Sequence, residues 1–185
     1  MKLGRFVLDT HVHAQRHAAG PELKKVAGGA TPRKFRYEDL DRVMGGITTY
    51  DNSGRLLYDM DCYGVDMAII MPAFGMSNEL NVQLVEKYPN RFVALCTAKE
   101  TQDRALRGEI DWTIQEAAAE IDRHLSTGKF VGIGEGIPMN PMAYNRKIRI
   151  SMNERLDQIC VILDVARKHG GVPVRIHTGS PMGYK

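Results

Sequence analysis

Five short apolar runs, separated by stretches of helical periodicity, constrain the fold of this chain more than any other feature. They are Phe6-Val7-Leu8 continuing to His13, Asp66 to Met71, Arg91 to Thr97, Lys129 to Glu135, and Val172 to His177. Runs apolar at consecutive positions suit strands covered on both faces, as in a parallel sheet under helices. Between them, Leu56, Leu57 and Met60 open a helix that Gly64 stops, and Leu80, Leu84, Val85 and Tyr88 mark a second that Pro89 ends. Ile110, Ile114, Ala117, Ala118, Ile121 and Leu125 form a third stripe before Gly128, and Met152, Leu156, Ile159, Leu163 and Ala166 a fourth. Ser151 and Glu154 read as a capping box, and Gly170-Gly171 closes that helix. The order β-α-β-α-β-α-β-α-β predicts an α/β fold with right-handed crossovers and a parallel sheet.

A length of 185 residues leaves room for one domain with a sizeable core. With 43% hydrophobic and 25% charged residues, the composition is that of a soluble globular protein and excludes a disordered chain. A net charge of +3 is too small and dispersed to argue for a nucleic-acid partner. No run approaches the roughly 18 apolar residues of a membrane span, and Met1 to Leu8 carries no signal-peptide pattern. Cys62, Cys96 and Cys160 are isolated and odd in number, which predicts buried thiols in a reducing, cytoplasmic compartment.

Two connections exceed ordinary turns. Ala14 to Ser53 reads as a long loop or flap with basic residues Lys24, Lys25, Arg33, Lys34 and Arg36, and a short helical stretch near Tyr37 to Met44. Gly136 to Ile150 carries Arg146, Lys147 and Arg149. Both follow strand C-termini, the end where α/β proteins place their sites. Their basic residues are either solvated surface or a lid that attracts an anionic substrate.

His11 and His13, one residue apart at the end of the first strand, share a face by the period of two. Adjacent imidazoles are a ready chelate for a divalent metal. His177 has the same address at the tip of the last run and completes a facial site if it turns inward. Glu135, between Gly134 and Gly136, ends the fourth run, where its carboxylate could ligate one metal, bridge two, or orient a ligand histidine. Asp9 and Arg175 lie in phase with His11 and His177, which predicts that they pair with each other or with Glu135. His17, His124 and His169 read as structural. Gly132-Ile133-Gly134-Glu135-Gly136 is glycine-rich but matches neither a dinucleotide fingerprint nor a P-loop.

Leu8-Asp9-Thr10-His11-Val12-His13, the stretch from Leu56 to Ile70, Pro89-Asn90-Arg91-Phe92, and the segment Val172 to Gly179 together resemble the amidohydrolase superfamily, in its amidohydrolase-related branch that includes aminocarboxymuconate-semialdehyde decarboxylase. The resemblance implies a (β/α)8 barrel with its metal at the C-terminal face, of which this chain supplies about five strands. It implies His11, His13 and His177 as ligands of zinc, manganese or iron, and Glu135 at the position that bridges the metals in two-metal relatives. The implied reactions are hydrolysis of an amide- or ester-type bond, or decarboxylation of a small carboxylic acid, with Arg146 and Arg149 available to hold a substrate carboxylate. Such a barrel typically needs about 250 residues. The histidine of strand six and the aspartate of strand eight have no counterpart before Lys185. The chain is therefore expected to be part of a longer enzyme or to work within a homo- or hetero-oligomer; an open five-stranded sheet that folds alone is the third option. A dinuclear iron or manganese oxygenase and a non-catalytic partner subunit are the alternatives.

Overall fold

A computed structural model describes residues 4–18, 48–73, 76–106, 108–135 and 150–176. In chain order the elements are β1 (Leu8–Val12), β2 (Gln15–Ala18), β3 (Thr48–Asp51), α1 (Ser53–Tyr63), β4 (Met67–Ile70), α2 (Asn78–Lys87), β5 (Phe92–Cys96), α3 (Lys99–Leu106), α4 (Ile114–Ser126), β6 (Gly132–Ile133) and α5 (Met152–Lys168). Strands β1, β4, β5 and β6 form one parallel sheet in that order. Val174 extends it by a parallel bridge to Ile133, with Ile133 N–H donating to Pro173 O and Arg175 N–H to Ile133 O. The expected α/β class and parallel sheet are thus present, with strands adjacent in chain order.

The sheet is curled. Flat, a strand at 172–176 would lie four spacings of roughly 4.8 Å, about 19 Å, from β1. An arginine side chain cannot reach that far. Arg175 nevertheless donates to Thr10 O at 3.0 Å. The first and last members of the sheet therefore face each other across its concave side.

Local chemistry sets the helix boundaries. Gly64 ends α1 in the left-handed region at φ 72°, and its N–H returns to Met60 O. Ser77, Thr113 and Ser151 accept the N–H groups of Leu80, Glu116 and Glu154, capping α2, α4 and α5. The Thr113 cap starts α4 later than the apolar stripe from Ile110 suggested. Phe92, Ile70, Ile121, Ile133 and Ile162 are fully buried between sheet and helices.

Several expectations need correction. Phe6, Val7 and Leu8 are exposed, since among the described residues β1 is paired only with β4 along its length. On α5 the buried positions are Gln158, Ile162 and Ala166, whereas Met152, Leu156 and Leu163 face solvent. Cys62 and Cys160 are exposed and only Cys96 is buried, where burial pushes its thiol up to about 12. The connection after β1 is not uniformly loop. Gln15–Ala18 and Thr48–Asp51 pair antiparallel at its two ends, and the stretch near Tyr37 to Met44 lies outside the described residues. Helix α3 has no apolar stripe to announce it. Its first turn is held by Glu120, whose carboxylate accepts the N–H groups of Glu100 and Thr101 at 3.0 and 2.7 Å.

Candidate metal centre

The curl of the sheet brings the end of β1 to the end of β6. The β1–β4 register shifts between Asp9 and Val12. There Asp9 Oδ1 accepts the His11 N–H at 3.0 Å. Asp9 is exposed, and its carboxylate goes to this backbone group; the expected pairing with Arg175 or Glu135 is not what it makes. Despite the irregularity, His11 and His13 remain together, their ring centroids 5.2 Å apart and edge to face. Glu135 turns one oxygen to each: Oε1 lies 3.3 Å from His11 Nε2 and Oε2 3.3 Å from His13 Nε2. Donor atoms of the three residues all lie within 4.8 Å of one another.

Glycine makes this approach possible. A Cβ on Gly134 would stand 3.0 Å from Arg175 Cβ and 3.1 Å from Leu95 Cδ1, and one on Gly132 would stand 2.5 Å from Pro173 O. The Gly134–Glu135 peptide is cis.

The hydrogen bonds orient each ring. His13 Nδ1 lies 2.9 Å from Met71 O, and a carbonyl only accepts, so Nδ1 carries a proton. In that tautomer Nε2 presents its lone pair toward Glu135, as a metal ligand should. His11 is held the other way. Arg175 Nη2 donates to His11 Nδ1 at 2.7 Å, which leaves the ring proton on Nε2 facing Glu135 Oε1. Two imidazoles and a carboxylate form a donor set suited to zinc, manganese or iron. His13 and Glu135 present it directly; His11 joins it once Arg175 releases Nδ1. About a third of each histidine side chain is exposed, so the site is open to solvent.

His11, His13 and Glu135 are thus brought together. His177, Arg146 and Arg149 lie outside the described residues. The Thr10 carbonyl and the placement of Arg175 against His11 carried no signal in the sequence, because both depend on the curl; the Met71 carbonyl reaches His13 across the β1–β4 pairing. A separate open cleft of about 330 Å³ between α4 and α5, lined by Trp112, Gln115, Glu154, Asp157 and Gln158, shares no residue with this centre. Of the structural histidines, His169 lies 2.6 Å from Asp122 and His124 is buried. Among the described residues no helix is long and apolar enough to cross a membrane. Compared with models of known families, with curated proteins and with solved structures, the chain has no significant match.

Proposed function

We propose that the chain carries the first part of a metal-dependent site of the amidohydrolase type, used for hydrolysis of a C–N or ester-type bond or for decarboxylation of a small carboxylic acid. The observation that carries this reading is the convergence of His11, His13 and Glu135 at strand C-termini. The curled parallel sheet with strands in chain order supports a barrel-type scaffold. His11, His13 and Glu135 would hold a divalent metal, zinc first, with His177 as a further ligand.

Such an ion would supply Lewis acidity, enough to lower the pKa of water from about 15.7 to about 7. The chain's own residues do the rest. Met71 O fixes the His13 ring, and Arg175 with Thr10 O fixes His11. Glu135, only 12% exposed, holds its carboxylate between the two rings, with Oε1 3.3 Å from His11 Nε2. Arg146 and Arg149 would hold a substrate carboxylate.

Metal content measured by plasma mass spectrometry on chelator-free protein tests this. Wild-type protein should carry zinc, manganese or iron, and His13→Ala should lose it. Two ions lost together in His13→Ala, of which Glu135→Ala keeps one, would favour the dinuclear oxygenase. Equal metal content in wild type and His13→Ala would reject the site.

A further inference from the structure

A second cluster joins α2, α3 and α4. His124 is nine-tenths buried near the end of α4, and its Nε2 lies 3.6 Å from Glu100 Oε1 and 3.6 Å from Glu120 Oε1. Donor atoms of Glu79, Glu100 and His124 all lie within 4.8 Å of one another. The cluster shares no residue with His11, His13 and Glu135.

The tautomer of His124 is set from outside the cluster. Asn78 is fully buried, and its carboxamide is locked onto the backbone of Thr97: Oδ1 accepts Thr97 N–H at 3.2 Å and Nδ2 donates to Thr97 O at 2.8 Å. This two-point grip excludes the flipped amide, so it is the NH2 group that faces His124 Nε2 at 3.2 Å. Nε2 therefore bears a lone pair, not a proton. Glu120 Oε1 already accepts the Glu100 N–H, but the Nε2 lone pair and Glu100 Oε1 face each other with no side-chain proton between them, an arrangement that favours a cation. Arg123 supplies only part of it, binding Glu100 Oε2 at 2.7 Å and leaving Oε1 turned toward His124. Glu79, Glu100 and Glu120 against Arg123 leave two negative charges. Lys99 bonds Gln102 and Asp103 and also lies within electrostatic reach of Glu120, so it offsets part of this charge without bonding Glu79 or Glu100 in the contacts described.

We propose that Glu79, Glu100 and His124 bind a second divalent cation, with Arg123 orienting Glu100 and Glu120 adding charge. One imidazole nitrogen with carboxylates selects a transition ion such as zinc or manganese over calcium or magnesium. The ion ties together three helices and the end of β5, a structural role beside the open centre at β1.

The test uses the full chain, stripped with chelator and titrated with Zn²⁺ while native mass spectrometry counts ions. Two ions should bind. Glu79→Gln changes an exposed side chain and leaves the fold intact. It should weaken one ion at least tenfold and spare the one lost in His13→Ala. His124→Gln should behave as Glu79→Gln does. Zinc binding in Glu79→Gln equal to wild type in number and affinity overturns the proposal. So does a nitrogen-15 spectrum of ion-free protein at pH 7.5 that shows a proton on His124 Nε2.

Discussion

Arg175 donates to His11 Nδ1 at 2.7 Å, so a residue next to the last sheet position sets the tautomer of a residue on the first. The contact holds the His11 ring but opposes its use as a ligand through Nε2. A hydrogen bond from a charged donor contributes about 1.5–3 kcal/mol. Arg175→Met keeps the aliphatic stem and removes the donor. It should tighten zinc binding at the β1 site about tenfold or more, measured by competition with a chromophoric chelator. It should also shift the His11 nitrogen-15 signals toward the Nδ1–H form. Unchanged affinity with an unchanged tautomer would show that Arg175 does not govern His11.

Gly132, the first residue of β6, lets the 172–176 segment approach closely. An added Cβ would sit 2.5 Å from Pro173 O and 2.9 Å from Pro173 Cγ, both held by the ladder bond from Ile133 N–H to Pro173 O. Gly132→Ala should cost about 1–3 kcal/mol of stability and, by displacing Arg175, alter the His11 tautomer as well. Gly54, within α1 and with no atom within 4 Å of its virtual Cβ, is the control. There alanine should be neutral or stabilise by about 0.4–1 kcal/mol. Denaturant titration of both variants reads the difference.

The cysteines should divide by burial. Cys62 and Cys160 are exposed, while Cys96 is buried with its thiol pushed up to about 12. Thiolate is the reactive form. A disulfide reagent at pH 8 should label two thiols rapidly and the third only under denaturant. Three equally fast thiols would show that β5 is not packed as described.

Asp122 ties α4 to α5, accepting from Lys168 at 2.7 Å and lying 2.6 Å from His169 Nε2. Lys168 and His169 hold its carboxyl below the ordinary value of 3.8. A depressed carboxyl contributes stability above its unfolded pKa and loses it as pH falls through the folded value. The tie therefore holds at neutral pH and is lost on acidification below pH 3.8. Asp122→Asn should flatten that part of the stability-against-pH curve. An acid limb as steep as wild type would exclude Asp122 from it.

The alternation of apolar runs and helical stripes was enough to place the four sheet strands and four of the five helices, because burial and capping are written locally. It also put His11, His13 and Glu135 at strand ends, which a period of two and a strand boundary suffice to show. Helix α3 was not legible: Lys99-Glu100-Thr101-Gln102-Asp103-Arg104-Ala105-Leu106 has no apolar face, and its first turn depends on Glu120 from another helix. Nor was the exposed side of α5, since which of several apolar stripes is buried depends on the angle at which neighbours pack. Glu120 and His124 lie four residues apart on α4, but their meeting with Glu79, Glu100 and Asn78 left no trace in the sequence. Local pattern determines which residues can form an element and where it ends. The curl of the sheet, made by contacts between residues as distant in sequence as Thr10 and Arg175, decides which of their side chains meet.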